Sequence, residues 1–251
     1  MSRPAPLARA TIAQTAVELR LTTRRGENLL AMLGIPAAML LLFGSAQVLP
    51  APASGSRVDV LLPGILALAI VATGLVNLGI ATAYERSYGV LKRLGGSPLG
   101  RPGLIAAKIL AVLVIELLLL GLLTALAAGV LGWRPSGSVA WPFLIASVGL
   151  GTATFAGLGL AMAGALRAEA TLLLANVLFL LVLAIGGVLI PVADLPDPMN
   201  QLAALLPPAA LTEVLRLALG SGVGGGPQAV IVLAVWAVIA VTLAIRAFRW
   251  D

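Results

Sequence analysis

Residues 109–131 read ILAVLVIELLLLGLLTALAAGVL, and Glu116 is the one charged residue among them. A helix needs about 20 mostly apolar residues to cross a bilayer, so this run is long enough. Its apolar character continues around the whole helical circumference, whereas a surface helix of a soluble protein keeps a polar face. Because lipid offers no hydrogen-bond partners to the backbone, the run is predicted to be a transmembrane helix.

Five further stretches meet the same criterion. The six predicted spans are residues 29–49, 61–83, 109–131, 141–166, 171–191 and 228–247. The composition agrees, because 60% of the 251 residues are hydrophobic and 10% are charged, whereas a soluble domain carries about a quarter charged residues. The mean hydropathy is +1.08. The sequence therefore predicts an all-α membrane protein with six transmembrane helices.

The basic residues lie almost entirely on one side of the predicted spans. Thirteen of the sixteen precede the first span, lie after spans two and four, or lie at the end of the last span and beyond it. Because cytoplasmic loops carry the excess of Lys and Arg, both termini are predicted to be cytoplasmic. The net charge of +6 is thus explained by orientation, and no nucleic-acid partner is expected. The preference for Arg over Lys, with abundant Ala and Gly, indicates a bacterial plasma membrane.

The sequence offers little for catalysis. It contains no Cys and no His, which excludes disulfides, thiol nucleophiles, imidazole bases and ordinary zinc sites. The nearest string to a phosphate-binding loop, residues 95–102, has prolines where backbone N–H donors are needed and lacks the Gly-Lys pair. No catalytic, cofactor-binding or metal-binding residue is predicted, and an intramembrane protease is disfavoured because no Gly-x-Gly-Asp pattern occurs.

An amphipathic helix is predicted before the first span, over residues 5–25. Leu7, Ile12, Val17 and Leu21 fall roughly on one helical face, and the arginines lie away from it. This pattern is typical of an interfacial helix that contacts membrane lipid. The alternative is a partly ordered basic tail that only sets the topology.

The cytoplasmic loop between spans two and three covers residues 84–108. Glu85–Leu94 is predicted to form a short charged helix, which Gly95 and Gly96 end. The pairs Ser97-Pro98 and Arg101-Pro102 are predicted to form the turn back into the membrane. This helix is either a docking surface for a cytoplasmic partner or a solvated connector.

The outer segment, residues 192–226, combines two short apolar stretches with several prolines. The first stretch covers residues 199–206 and the second residues 209–219, which ends before Gly220. A plain extracellular loop would be more polar, so a re-entrant or interfacial hairpin in the outer leaflet is predicted.

Glu116 lies eight residues after Lys108, about 12 Å along the helix at 1.5 Å per residue. A carboxyl group at that depth must be paired, protonated or in contact with water. It either lines a translocation path for a proton or a cationic substrate, or clamps neighbouring helices against Asn77 or Asn176. The two asparagines by themselves are expected to make helix-packing hydrogen bonds.

Three segments together resemble the ABC-2 family of ATP-binding-cassette exporter permeases, particularly its drug and antibiotic efflux branch. The segments are LRLTTRRGENLLAMLGIPAAMLLLFG (Leu19–Gly44), ERSYGVLKRLGGSPL (Glu85–Leu99) and IPVADLPDPMNQLAALLPPAALTEVLRLAL (Ile190–Leu219). They are similar to the family's elbow helix with the first span, its cytoplasmic signature and its outer hairpin. Where the family often has Gly-Thr and an acidic residue, this chain has Gly89, Val90 and Leu91, which makes the loop helix less polar.

The resemblance implies a single transmembrane domain over residues 1–251, with an elbow helix, a cytoplasmic coupling helix and an outer hairpin. Two permeases, identical or paralogous, would form the path, and each would rest on a cytoplasmic ATP-binding subunit that holds ATP and Mg²⁺. The implied contacts with that subunit are Glu85, Arg86, Tyr88, Gly89, Leu91, Lys92, Arg93, Leu94 and Pro98.

Other functions stay open at this point. A permease of the same fold could export polysaccharide or lipid-linked cargo instead of hydrophobic drugs. A stand-alone secondary transporter would use Glu116 as its proton carrier, but it would usually show an internal repeat with matched broken helices. A membrane assembly factor without a transport role is a further alternative.

Overall fold

The computed structural model describes residues 6–24, 26–45, 56–96, 99–135, 137–188, 196–197, 199–221 and 226–248. Within these ranges all regular structure is helical, which confirms the predicted all-α class. The helices are α1 (Leu7–Arg24), α2 (Gly26–Ser45), α3 (Arg57–Ser87), α4 (Val90–Leu94), α5 (Gly100–Val130), α6 (Trp141–Ala165), α7 (Ala168–Ile185), α8 (Met199–Ala204), α9 (Pro207–Ala218) and α10 (Gly226–Ala247).

Five helices in the described ranges are long and apolar enough to cross a membrane, namely α3, α5, α6, α7 and α10. Helix α2 adds a shorter apolar stretch, Met32–Ser45. Together these helices are consistent with the predicted six spans. The chain is therefore a multi-pass membrane protein. The end of the first predicted span, residues 46–49, lies outside the described residues.

The loop between α3 and α5 is shorter than predicted. The expected helix Glu85–Leu94 is divided, because Glu85 belongs to the end of α3 and the chain turns at Gly89. Gly89 has a φ of 72°, a left-handed conformation that residues with a Cβ avoid. Arg101 and Pro102 lie in the first turn of α5 and do not form the predicted turn. Proline is tolerated there because the N–H that it lacks would have no partner within the helix.

Helix α3 is the most enclosed of the long helices, and its middle, Ala72–Leu78, is a π-helical segment. It crosses α6 where both helices carry glycine. A Cβ atom on Gly159 would lie 2.5 Å from the carbonyl oxygen of Gly74. Helix α6 packs as closely against α10, since a Cβ on Gly157 would lie 2.8 Å from the carbonyl carbon of Ala240. Small residues allow such approaches between helices in lipid.

The outer connection contains two short helices, α8 and α9, as the spacing of its prolines predicts. Helix α9 is fastened to the end of α7, because Thr212 and Arg216 donate hydrogen bonds to the carbonyl oxygens of Gly186 and Gly187 at 3.0 and 2.6 Å. The rest of the predicted hairpin, residues 192–195, 198 and 222–225, lies outside the described residues.

Helix α1 packs on α5 through its polar face. The hydroxyl of Thr15 donates to the carbonyl oxygen of Ala107 at 3.3 Å, and Glu18 is buried. The apolar residues Ile12 and Val17 point away from the protein and are exposed. A helix that turns its apolar face outward in this way is suited to contact with lipid.

Candidate functional site

The loop end of α3 and α5 gathers most of the residues that the sequence singled out. Helix α4 is a single turn that follows Gly89, and its Leu91 is 1% exposed. Leu91 packs in an apolar cluster with Leu104 of α5 and Phe248, which follows α10. The cluster also contains residues of α3, α6 and α10, so it holds α4 against the membrane helices, and α4 does not hang free in solvent.

One face of this loop is exposed and basic. Lys92 and Arg93 are both exposed, and so are the neighbouring side chains of Tyr88 and Val90. Because Leu91 is anchored in the cluster, these four side chains form a surface with a fixed position relative to the helices. We call residues Tyr88, Val90, Lys92 and Arg93 the loop surface.

Arg86 faces inward and caps helix α6. Its guanidinium donates to the carbonyl oxygen of Gly164 at 2.6 Å and to that of Leu166. The last carbonyl groups of a helix lack partners within the helix, and a cation there is also favoured by the helix dipole. Arg86 thus ties the loop end of α3 to the end of α6.

A buried ion triad joins three helices next to the loop. The ammonium group of Lys108 on α5 lies 2.8 Å from Oε2 of Glu85 on α3 and 3.1 Å from Oε2 of Glu18 on α1. Lys108 is 1% exposed, so its charge depends on these two carboxylates for solvation. Oε1 of Glu18 accepts a further hydrogen bond, from the side-chain amide of Gln14.

Two volumes open beside the triad. A cavity of about 70 Å³ lies between α1, α2, α3 and α5, and an open groove of about 520 Å³ runs along one face of α3. Asn77, Ala81 and Glu85 line both volumes. Lys108, Glu18 and Thr73 line only the smaller cavity, and Tyr84 and Tyr88 line only the groove.

Glu116 is enclosed between α3, α5 and α6 and is 1% exposed. Thr73 donates to its Oε1 at 2.6 Å, and Thr152 donates to its Oε2. The partners are thus threonines and not the asparagines that the sequence suggested. Glu116 lines neither the cavity nor the groove, so in this conformation it joins three helices.

Of the remaining predicted residues, some lie beside the triad and the loop surface and others lie away from them. Asn77 lies on the shared wall of the two volumes, about two helical turns before Glu85. Asn176 is exposed on α7 and donates to the carbonyl oxygen of Leu172 at 2.8 Å. Leu94 packs beside the apolar cluster of Leu91. Pro98 lies outside the described residues.

Sequence reasoning missed the roles of Glu18, Lys108, Thr73 and Thr152. In the sequence Lys108 indicates only a charge that sets orientation, although it lies directly before the apolar run 109–131. Glu18 follows Gln14 by one helical turn, and an acidic residue next to the apolar face of α1 could have indicated a buried partner. No comparable signal marks the threonines, because a threonine in an apolar helix usually bonds its own backbone.

No group of three or more Asp or Glu side chains within the described ranges is arranged to hold a metal ion.

A family model described as "ABC-2 type transporter" matches residues 10–220 of the chain. A search of curated proteins found no significant match to the chain. The matched region includes nearly all of α1, and it contains the triad, the loop surface and the whole of α9.

Proposed function

This chain belongs to the ABC-2 type transporter family, and we propose that it is the permease subunit of an ATP-driven exporter. Permeases of this family are transport components and are generally non-catalytic. ATP hydrolysis is then the task of a separate cytoplasmic subunit, which binds the ATP and Mg²⁺. The permease forms half of the translocation path, and a second permease, identical or paralogous, forms the other half.

The position of the loop surface is the observation that carries this proposal. Lys92 and Arg93 are exposed beside Leu91, which is anchored in the apolar cluster. An exposed basic turn on a rigid base is suited to docking an acidic surface of an ATP-binding subunit, because complementary charge favours encounter and fixes the orientation. The loop surface is therefore the proposed docking site.

Two contacts next to the loop surface would carry movement from it into the membrane. Arg86 joins the loop end of α3 to α6, and Lys108 joins the same end of α3 to α1 and α5. Because each contact links different helices through buried or half-buried polar groups, a displacement of the loop would move several spans together. Closure of the ATP-binding subunits would in this way reorient the path.

The exposed face of α7 supports the proposed second permease. Asn176 is exposed there among leucine and valine side chains, and its one described hydrogen bond goes to the backbone of its own helix. An amide facing lipid would leave its other polar groups without partners, which is costly in hydrocarbon. A protein surface, or a path shared with a second permease, would provide those partners.

The proposed location is a bacterial plasma membrane with both termini in the cytoplasm. The thirteen basic residues on the loop side support this orientation. The proposed cargo consists of drugs, antibiotics or other hydrophobic molecules, and polysaccharide or lipid-linked cargo is the alternative within the same family. A proton-coupled transporter that uses Glu116 is less well supported, because the carboxyl group is enclosed between threonines of α3 and α6.

Co-purification with an ATP-binding subunit tests the proposal. The permease is co-expressed with an ATP-binding-cassette ATPase from the same genome, and two quantities are measured: the ATPase that co-purifies with it and the ATP-dependent uptake by inverted vesicles. The double variant Lys92→Glu and Arg93→Glu should lower recovery at least tenfold, because it reverses the charge of the loop surface. Arg101→Glu is the matched control, since Arg101 is exposed nearby but lies outside that surface.

Two results would contradict the proposal. The first is ATP hydrolysis by the purified chain alone. The second is full recovery and full uptake with the doubly reversed loop surface.

A further inference from the structure

The cavity and the groove beside α3 have a common wall. Asn77, Ala81 and Glu85 line both volumes. A molecule in the groove can therefore bring a small group next to the cavity without crossing an intervening helix. The cavity, at about 70 Å³, has room for one or two groups of the size of a water molecule, which occupies about 30 Å³.

The charges at this wall do not balance. The triad contains two carboxylates and one ammonium group, and Lys108 is the one basic residue among the described residues that line either volume. The second carboxylate oxygen of Glu18 is stabilised by Gln14. The hydrogen bond from Lys108 engages only Oε2 of Glu85. The excess negative charge therefore lies at Glu85, on the wall that the two volumes share.

One row of side chains along the groove next to Glu85 is apolar and aromatic. Val76 and Ile80 line it one helical turn apart, and Tyr84 and Tyr88 continue the same row. The ring centroids of the two tyrosines are 6.1 Å apart. Tyr88 is 75% exposed, so its ring is accessible to a molecule in the groove. Aromatic faces attract cations, and their area also packs against apolar groups.

We propose that the groove and the cavity together bind an amphipathic primary amine, with its ammonium group beside Glu85 and its apolar body along Tyr84 and Tyr88. This inference rests on the proposed function and names the chemical class of the exported molecule. A protonated primary amine carries three N–H donors. The carboxylate of Glu85 is the charged acceptor for them on the shared wall.

The same wall disfavours other classes of ligand. A carboxylate or phosphate would meet Glu85 with like charge, which costs free energy at short distance. A quaternary ammonium has no N–H to donate, and its methyl groups would fill the small cavity with apolar atoms. A neutral alcohol would fit the groove but would leave the negative charge unpaired.

A primary amine has two sources in a bacterial membrane. One is a free cationic amphiphile, the proposed cargo, and the other is the headgroup of phosphatidylethanolamine. The two share the chemistry that the wall recognises, so the experiment needs separate arms for them.

Binding of three matched compounds to the full-length chain tests the inference. The probes are 4-phenylbutylammonium, 4-phenylbutanol and 4-phenylbutanoate, titrated into protein in phosphatidylcholine nanodiscs with empty nanodiscs as background. The amine should bind at least about tenfold more tightly than the alcohol, because a charge-assisted hydrogen bond is lost in the alcohol. The acid should bind more weakly than the alcohol.

Variants locate the binding to this wall. Glu85→Gln should weaken amine binding at least about tenfold and leave alcohol binding unchanged, since glutamine keeps an acceptor for Lys108 but not the charge. Glu169→Gln is the matched control, because Glu169 is an exposed carboxylate on α7 away from both volumes. If Glu85→Gln folds poorly, Tyr88→Leu at the exposed position provides the test, with an expected loss of about threefold.

The lipid arm repeats the titration with phosphatidylethanolamine in the nanodiscs. A loss of apparent amine affinity supports the site and assigns it to the lipid headgroup, whereas an unchanged affinity supports it as a site for free cargo. Equal binding of the amine and the alcohol, or amine binding unaffected by Glu85→Gln and Tyr88→Leu, overturns the inference.

The result is separable from the proposed function. Amine binding without recruitment of an ATPase would contradict the exporter and leave this site supported. ATP-driven export of other cargo without any amine preference would contradict this site alone.

Discussion

Nζ of Lys108 lies 2.8 Å from Oε2 of Glu85, and this contact joins the start of α5 to the end of α3 across the loop that separates them. Both side chains flank the proposed docking site, and Glu18 extends the contact to α1. The loop surface is thus connected to the membrane helices by paired charges and not only by the chain itself.

Removing the ammonium group from the triad should destabilise the protein strongly. In Lys108→Met the two carboxylates of Glu18 and Glu85 face each other without a cation, and breaking a buried ion pair costs about 3–5 kcal/mol. The unfolding temperature in detergent should fall accordingly. The triple variant Lys108→Met, Glu18→Gln and Glu85→Gln removes all three charges and should recover part of that loss. An unchanged unfolding temperature in Lys108→Met would show that the triad does not hold the three helices together.

The turn at Gly89 should tolerate asparagine better than alanine. Gly89 has a φ of 72°, and nothing lies within 4 Å of a Cβ placed there, so the cost is in the backbone alone. Gly89→Ala should lose about 1 kcal/mol of stability, and Gly89→Asn less, because asparagine visits the left-handed region more readily. Gly96→Ala is the control, since Gly96 does not adopt a positive φ. Equal losses at the two positions would contradict the explanation. Chemical denaturation of the purified chain measures all three variants.

The crossing of α3 and α6 should not accept a side chain. Gly159→Ala would place a Cβ 2.5 Å from the carbonyl oxygen of Gly74, and forcing the helices apart should cost about 1–3 kcal/mol. Gly149→Ala lies on the same helix with nothing within 4 Å of its Cβ, so it should be neutral or slightly stabilising. Thermal unfolding of the two variants in the same detergent makes the comparison. The prediction fails if Gly149→Ala is the more damaging change.

Glutamine should replace Glu116 with little loss of stability. Its side chain can accept a hydrogen bond from one threonine and donate to the other, so the links to Thr73 and Thr152 persist. Leucine can do neither. Each threonine hydroxyl keeps a carbonyl acceptor in its own helix, and the loss of the two hydrogen bonds to Glu116 should cost about 1–3 kcal/mol. ATP-dependent uptake by inverted vesicles provides the second measurement. Full transport by Glu116→Gln would exclude a need for the charge, whereas a folded but inactive variant would restore the hypothesis of a proton or cation path.

Much of the fold could be predicted because hydrophobic length is a property of consecutive residues. The run of α5 identifies a membrane helix by itself, and the prolines of the outer segment separate α8 from α9. Helix ends were less predictable at the loop. Pro102 and the short polar stretch before it favour a turn, but the first turn of a helix accepts both, and α5 begins at Gly100.

The candidate site was predicted only in part. The resemblance implies Glu85 and Arg86 as contacts with a partner, yet both side chains bond to groups of the protein itself. The reason is that an exposed charge and a paired, half-buried charge look the same in a sequence. The pairing depends on Lys108, which follows Glu85 by 23 residues, and on Glu18, which lies 90 residues before Lys108.

The order of residues alone determined that this chain is a helical membrane protein with its positive charge on one side, because a bilayer selects for apolar length and for the location of Lys and Arg. Only the packing of the helices decided that Glu18, Glu85 and Lys108 meet, and that Glu116 meets two threonines. A charge removed from water requires a compensating group, and which group supplies it depends on which helices lie side by side.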